Sequence, residues 1–244
     1  GKGGVGKSTV AVNLACALDR RLRYQAGYKG VGIFDCDIYG PSIPHMMGIG
    51  SRPEIENERI VPPKNYGIKV MSMALLIDES SPVVWRGPMI NNAISQFANH
   101  VQWGELDVLV VDLPPGTSDA SLTVMQAIPL SGVVLVTSPQ DLAGMVVRKA
   151  AAMVQQLGAP ILGVVENMSY ITCPECGKKI EVFGPSQGRE TAERLEVPML
   201  GQIPLDPQLA LHCDHGHIEA YSAKDFAPIA DIIAERGPAL ETIN

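Results

Sequence analysis

The first eight residues of the chain constrain its fold more than any other stretch. They read GKGGVGKS and fit the pattern G-x-x-x-x-G-K-[ST]. Glycines let the backbone wrap so that successive N–H groups point at one anion, and a helix that begins near Ser8 adds its positive end. Lys7 supplies a point charge, and the Ser8 hydroxyl is suited to a magnesium ion. The motif therefore predicts a loop that binds the phosphates of a nucleotide together with Mg²⁺.

The predicted phosphate contacts extend over this loop and the start of the helix that follows it. They are Gly1, Gly3, Gly4, Val5, Gly6, Lys7, Ser8 and Thr9. A glycine-rich loop of this type normally follows a buried strand. We therefore expect the first strand of the sheet to be missing from a chain that begins at Gly1.

Short apolar runs alternate with helical stretches along the rest of the chain, which is typical of parallel strands covered on both faces. Strands are predicted over 31–34, 68–71, 106–111, 132–136, 161–165 and 199–203, and helices over 8–21, 89–101, 142–157, 188–195 and 227–235. This alternation predicts an α/β fold built of βαβ units with right-handed crossovers, in one domain over 1–244. We expect loops over 40–66 and a surface excursion over about 168–187, which contains a pair of cysteines.

Composition excludes several classes of protein. The chain has 244 residues and a formal net charge of −7, which argues against a general nucleic-acid binder because such a protein needs a basic face. No apolar run reaches the roughly 18 residues of a membrane span, and the acidic segment 221–244 is unlike a basic membrane-binding tail. Five cysteines, an odd number with no signal peptide before them, predict a reducing cytoplasm rather than a disulfide framework. We therefore expect a cytoplasmic protein that binds neither nucleic acid nor membrane.

Two carboxylates stand where predicted strands end. Asp112 follows the run 106–111, and Asp37 comes shortly after the run 31–34. Carboxyl ends of parallel strands meet at one edge of a sheet, where such proteins bind their ligands. Beside the phosphate loop, Asp112 is expected to hold Mg²⁺ through water. The alternative for both residues is a simple capping role in a loop.

Cys173 and Cys176 form a C-x-x-C pair within the segment CPECG. In isolation this pair indicates half of a zinc site, a redox dithiol or a pair of iron–sulfur ligands. Cys16, Cys36 and Cys213 do not supply a second C-x-x-C. A further stretch, HCDHGH over 212–217, has the side-chain types of a metal site, although its surroundings favour a turn.

Lys2 makes the phosphate loop resemble that of the deviant Walker A ATPases, the MinD/ParA class. In that class this lysine reaches across a dimer to the partner's nucleotide, so the resemblance implies a homodimer in which Lys2 acts in trans on the transferring phosphoryl group. Asp37 resembles the switch I aspartate, which orients the attacking water beside the metal. The segment DLPPGTSD, residues 112–119, resembles switch II.

The same resemblance implies how the base of the nucleotide is held. Asn167 matches the position where this class hydrogen-bonds adenine. Pro204 and Asp206 match the loop that flanks the base. For each of these residues a capping or turn role is the alternative.

More specifically, the chain resembles the Mrp/ApbC type of iron–sulfur cluster carrier ATPase. The segments that carry this resemblance are 2–9, 35–44, 85–88, 112–119 and 166–177. It implies a cytosolic homodimer that binds ATP and passes a labile 4Fe-4S cluster to apo iron–sulfur proteins, and a doubly wound, mostly parallel sheet of the P-loop NTPase fold. We expect ATP hydrolysis to be slow, because its work is conformational. Cys173 and Cys176 of two subunits would then supply the four thiolates that bridge such a cluster. The alternative is a ParA/MinD-like positioning ATPase without a cluster.

Overall fold

Parallel strands form the centre of the molecule, with helices between them. The computed structural model describes residues 4–38, 40–76, 93–94, 97, 99–116 and 119–236. Within these residues the strands are β1 (Val31–Asp35), β2 (Glu54–Glu56), β3 (Arg59–Val61), β4 (Lys64–Asn65), β5 (Ile68–Ser72), β6 (Val108–Asp112), β7 (Val133–Thr137), β8 (Ile161–Glu166), β9 (Ile171–Thr172), β10 (Lys179–Ile180) and β11 (Met199–Gln202). The helices there are α1 (Lys7–Leu22), α2 (Ile43–Met46), α3 (Asp119–Ala127), α4 (Asp141–Gln156), α5 (Gly188–Arg194), α6 (Pro207–Asp214) and α7 (Ala227–Arg236).

The described strands pair in two main groups. One group has the order β4-β5-β1-β6 and the other the order β11-β8-β7, and all of these pairs are parallel except β4 with β5. Strand β1 pairs with β6 in a register that sets Asp35 beside Asp112. Both residues are the last of their strands, so two carboxylates lie next to each other at the carboxyl edge of the sheet.

Helix α1 holds the two strand groups in one core. Its buried face includes Val12, Ala15 and Leu18, and the cluster around it takes in Val31 of β1 and Val165 of β8. Burying an aliphatic side chain of this size stabilises the fold by about 1.5–3 kcal/mol. The helix that follows the glycine-rich loop is therefore anchored deep in the molecule, which fixes the position of the loop itself. No helix among the described residues is long and apolar enough to cross a membrane.

The apolar pattern predicts the central elements well and the exposed ones poorly. Helices α1, α4, α5 and α7 lie within one or two residues of their predicted ends. The expectation of loops over 40–66 is wrong, because this stretch contains α2 and strands β2 to β4. All residues of β2 are exposed, so this strand carries no apolar signal that a sequence pattern could show. The predicted helix over 89–101 lies largely outside the described residues.

Candidate functional site

The described part of the glycine-rich loop has the backbone that a phosphate site needs. Gly4 and Gly6 adopt left-handed conformations, with φ of 84° and 76°, and α1 begins at Lys7 directly after them. Gly6 stands at the N-cap and has no side chain with which to cap α1, so the first N–H groups of the helix are left for a ligand. Gly1, Lys2 and Gly3 lie outside the described residues.

The side chain of Asn167 binds the backbone of this loop. Its Nδ2 donates to the carbonyl oxygen of Val5 at 2.9 Å, and its own backbone N–H donates to Thr137 O at 2.9 Å. A Cβ atom at Gly6 would collide with Nδ2 of Asn167, so glycine is required there by space as well as by its φ. The sequence did not predict this contact between the end of β8 and the loop. The predicted contact of Asn167 with adenine stays a prediction.

Charged groups converge where α1 begins. Burial lowers the pKa of Lys7, and the nearby carboxylates of Asp112 and Asp37 oppose that shift. Burial also raises the pKa of Asp112 to about 6, against the hydrogen bond from Ser8 and the charge of Lys7. The sequence-predicted residues of this part of the site are therefore close enough to influence one another.

The oxygen atoms of this cluster fit a magnesium ion. Among the described residues, no donor reaches Oδ2 of Asp112, although this atom is buried. A buried carboxylate oxygen without a partner is costly unless a ligand or a cation completes it. The Ser8 hydroxyl and the Asp37 carboxylate, both near Asp112, add the hard oxygen ligands that Mg²⁺ prefers.

Asp35 is a member of the cluster to which the sequence analysis gave no role. It is 1% exposed, and its two carboxylate oxygens accept from the backbone N–H of Asp37 at 3.1 Å and from the Ser72 hydroxyl at 3.0 Å. Burial and the neighbouring Asp112 raise the pKa of Asp35 to about 7. Asp35 and Asp37 look alike in the sequence. They differ only in the structure, where Asp35 is buried at the end of β1 and Asp37, just beyond it, is partly exposed.

The predicted base-flanking residues are placed differently from each other. Asp206 caps α6, since its Oδ1 accepts from Gln208 N at 2.9 Å while its Oδ2 accepts from the Tyr221 hydroxyl at 2.8 Å. The side chain of Asp206 therefore has a capping role, and its predicted place beside the base stays a prediction. Pro204 is partly buried and follows β11, whose continuation runs beside the residues after Asn167. Its contact with a base stays a prediction.

The two paired cysteines lie at the tip of the β9–β10 hairpin. The N–H of Cys173 donates to Lys178 O at 2.9 Å, and the N–H of Gly177 donates to Cys173 O at 2.9 Å. Backbone N–H groups of Cys176 and Glu175 lower the pKa of the Cys173 thiol. Cys173 is partly exposed and Cys176 is exposed. The hairpin thus presents to solvent a thiol that is biased towards the thiolate, which is the form that binds metals.

The other three cysteines behave in the opposite way. Cys16, Cys36 and Cys213 are buried, and burial raises the pKa of each thiol. These three are packing residues, as the sequence suggests.

A metal at the paired cysteines needs ligands from elsewhere. In the part of the chain that the structure describes, no group of three or more His, Cys, Asp or Glu side chains is arranged to hold a metal ion. Two of the three histidines of 212–217 instead contact backbone carbonyls, with His215 Nδ1 at 2.7 Å from Leu211 O and His212 Nδ1 at 3.2 Å from His217 O. This favours the turn that the sequence suggested over a metal site.

Comparisons with known proteins place this geometry in context. A family model described as the NUBPL iron-transfer P-loop NTPase, of the ParA group, matches residues 1–236. The chain is 43% identical, over 96% of its length, to an iron-sulfur cluster carrier protein of Aquifex aeolicus, and it spans 65% of that protein. A nucleotide-binding protein of Archaeoglobus fulgidus, solved in complex with ADP, matches with a TM-score of 0.81 at 40% identity, covering 99% of this chain and 90% of the other. The cell division ATPase MinD of Pyrococcus furiosus matches with a TM-score of 0.69 at 23% identity, covering 96% and 95%, which shows a shared fold alone.

Proposed function

Because the chain belongs to the NUBPL iron-transfer P-loop NTPase family, we propose that it is an ATP-dependent carrier that delivers a labile 4Fe-4S cluster to apo iron–sulfur proteins. One observation carries this proposal. A solvent-facing thiol pair, with the pKa of Cys173 lowered by backbone N–H groups, lies on the same chain as a glycine-rich loop whose described part leaves the first N–H groups of α1 for a ligand.

The nucleotide half of the function follows from the cluster around α1. The loop backbone and Lys7 bind the phosphates of ATP, and Ser8, Asp112 and Asp37 hold Mg²⁺, which neutralises charge on the phosphates when it is bound. Asp37 orients the water that attacks the γ-phosphate, and Lys2 of one subunit stabilises the developing charge at the nucleotide of the other. Hydrolysis is slow, because its task is to change the conformation of the carrier rather than to supply product.

The cluster is cargo rather than a resident cofactor. Each chain offers Cys173 and Cys176, and a 4Fe-4S cluster takes four thiolates. Two chains related by a two-fold axis supply that number, with the hairpin tips facing each other. The exposed position of Cys176 then gives an apo-protein access to the cluster for transfer. The carrier is a cytoplasmic homodimer whose other partners are client proteins, without a role for nucleic acid or membrane.

Anaerobic reconstitution with iron and sulfide tests the cargo. We expect a visible chromophore and about two irons per chain in the unaltered protein, because a bridging 4Fe-4S cluster is shared by two chains. The double variant Cys173→Ala/Cys176→Ala should lose both. Cys213→Ala, which removes a buried thiol, is the matched control and should retain them.

A chromophore that persists in the double variant contradicts the proposal, since the ligands would then lie elsewhere. One tightly bound zinc per chain contradicts it in another way, because it indicates a structural metal at the hairpin.

A further inference from the structure

Two adjacent residues at the end of β8 bind the two halves of the site. Asn167 donates to Val5 O at 2.9 Å and so holds the phosphate loop. Glu166, its neighbour in sequence, holds the segment that carries the cysteines. The nucleotide loop and the cysteine segment are therefore attached to the same short piece of backbone.

The Glu166 carboxylate is fully buried and binds the cysteine segment at both ends. At the start of the segment, its Oε2 accepts from the Ser169 hydroxyl at 2.5 Å. At the far end, Oε1 accepts from the backbone N–H groups of Gln187 at 2.8 Å and Gly188 at 2.6 Å. Gln202 of β11 completes the set, with Nε2 at 3.2 Å from Oε2. Because one buried side chain accepts from both ends, this carboxylate fixes where the segment begins and ends.

Close packing leaves little freedom around this carboxylate. A Cβ atom at Gly188 would lie 2.9 Å from Cβ of Glu166 and 2.7 Å from Cε of Met199, so the backbone approaches the glutamate as closely as glycine permits. Met168, between the loop contact and the segment, has φ of 57°, a left-handed conformation that a methionine adopts only when its surroundings hold it. Glu166, Asn167 and Ser169 are all buried, so we expect a displacement of Asn167 to move both Glu166 and Ser169.

We propose that Glu166 is a positioning residue that couples nucleotide binding to the state of the cysteine hairpin within a single subunit. The coupling runs from Val5 through Asn167 and Glu166 to both ends of the segment that contains Cys173 and Cys176. It rests on the proposed function in that a nucleotide occupies the phosphate loop. Since coupling between two sites is reciprocal, occupation of the cysteines changes nucleotide affinity by the same factor.

The rate of thiol alkylation in the absence of iron measures how the nucleotide affects the cysteine hairpin. The rate of modification of Cys173 by iodoacetamide is measured by peptide mass spectrometry, with and without saturating ADP and Mg²⁺. In the unaltered chain we expect the nucleotide to slow the reaction about fivefold or more, because it fixes the loop that Asn167 holds. A fivefold change is about the lower end of the coupling usually found between the affinities of two sites. In Glu166→Gln the ratio should fall below about twofold, because an amide places an N–H₂ group against donors that need an acceptor.

Two further variants separate coupling from damage to the fold. Glu190→Gln makes the same chemical change on an exposed face of α5, where Glu190 pairs only with Arg194 among the described contacts, and it should keep the full ratio. Ser169→Ala removes only the hydroxyl that contacts Oε2 and the backbone O of Glu166, and leaves the other bonds to the carboxylate in place. It should give an intermediate ratio, so it carries the test if Glu166→Gln does not fold. ADP affinity measured by calorimetry should stay within about threefold in both Glu166→Gln and Ser169→Ala, because neither side chain contacts the loop.

A ratio near one in the unaltered chain overturns the proposal, and so does an unchanged ratio in Glu166→Gln. The outcome is independent of the cargo, because no iron is present. If ADP slows alkylation but no cluster assembles, the carrier function is refuted and the coupling stands. If a cluster assembles but ADP does not slow alkylation, the coupling is refuted and the carrier function stands.

Discussion

The nucleotide end of the sheet and the cysteine hairpin contain titratable groups whose pKa values shift for opposite reasons. At the sheet, burial raises the pKa of Asp35 to about 7 and of Asp112 to about 6. At the hairpin, backbone N–H groups lower the pKa of the exposed thiol of Cys173. The buried carboxylates need a cation to become fully stable as anions, whereas the hairpin stabilises its thiolate without one. The buried carboxylates are suited to a cation that stays inside the fold. The exposed thiol is suited to a metal cargo that is bound at the surface and released there.

Cysteine itself illustrates this difference. Cys36 lies between the two aspartates at the end of β1, and burial together with Asp35 and Asp112 raises the pKa of its thiol. The same side chain at position 173 is shifted the other way. Environment rather than residue type therefore decides which cysteines can bind a metal.

The largest expected effect comes from removing the cation of the nucleotide end. Lys7→Ala should lower ATP affinity and phosphate release about a hundredfold or more, because a charge preorganised at the phosphates is lost. Calorimetry and a phosphate-release assay measure the two quantities. Lys29→Ala, which removes a surface lysine that pairs with Glu105, is the matched control and should change neither. Phosphate release that survives in Lys7→Ala would separate the activity from this loop.

A smaller effect is expected on the free energy of unfolding when a glycine of each region is replaced by alanine. Gly6→Ala should lower the free energy of unfolding by about 2 kcal/mol or more, because the new methyl group adds a collision with Asn167 to the strain of a left-handed alanine. Gly177→Ala, in the hairpin, has φ of 71° but nothing within 4 Å of the added Cβ, so only the strain of about 1 kcal/mol remains. Urea unfolding curves compare the two variants. Equal losses in both would show that the loop is not packed against Asn167.

The smallest expected effect is a dependence of stability on pH. A carboxyl group whose pKa is raised on folding binds its proton more tightly in the folded state, so its contribution to stability is greatest below the unfolded pKa near 4. That contribution is lost as the pH rises towards the folded pKa, which is about 7 for Asp35. Without nucleotide or Mg²⁺, the loss of this Asp35 contribution should lower the free energy of unfolding by roughly 1 kcal/mol between pH 6 and 7.5. Asp35→Asn should flatten this slope, and a slope of the opposite sign in the unaltered chain would show that Asp35 is not held as described.

Local sequence patterns predict the parts of the site that are close together in the chain. The glycine loop and α1 are continuous, and Asp112 directly ends an apolar run, so a pattern shows them. Asp35 was given no role because its difference from Asp37 depends on the pairing of β1 with β6.

Contacts between distant residues have no such pattern. Asn167 and Val5 are 162 positions apart, and the partners of Glu166 at Gln187 and Gln202 lie 21 and 36 positions away. The sequence suggests a turn role for Asn167 as an alternative to a base contact, and only the folded chain shows that Glu166 and Asn167 together bind both halves of the site. The hairpin of β2 and β3 was missed for a different reason, since β2 is fully exposed and β3 is only partly buried, which leaves no clear apolar alternation.

Native mass spectrometry of the anaerobically reconstituted protein determines whether two chains share one cluster through four thiolates, as proposed above. We expect a species with the mass of two chains plus one 4Fe-4S cluster, which is absent from Cys173→Ala/Cys176→Ala and present in Cys213→Ala. A single chain that carries one metal ion, with no dimer that holds a cluster, would contradict it.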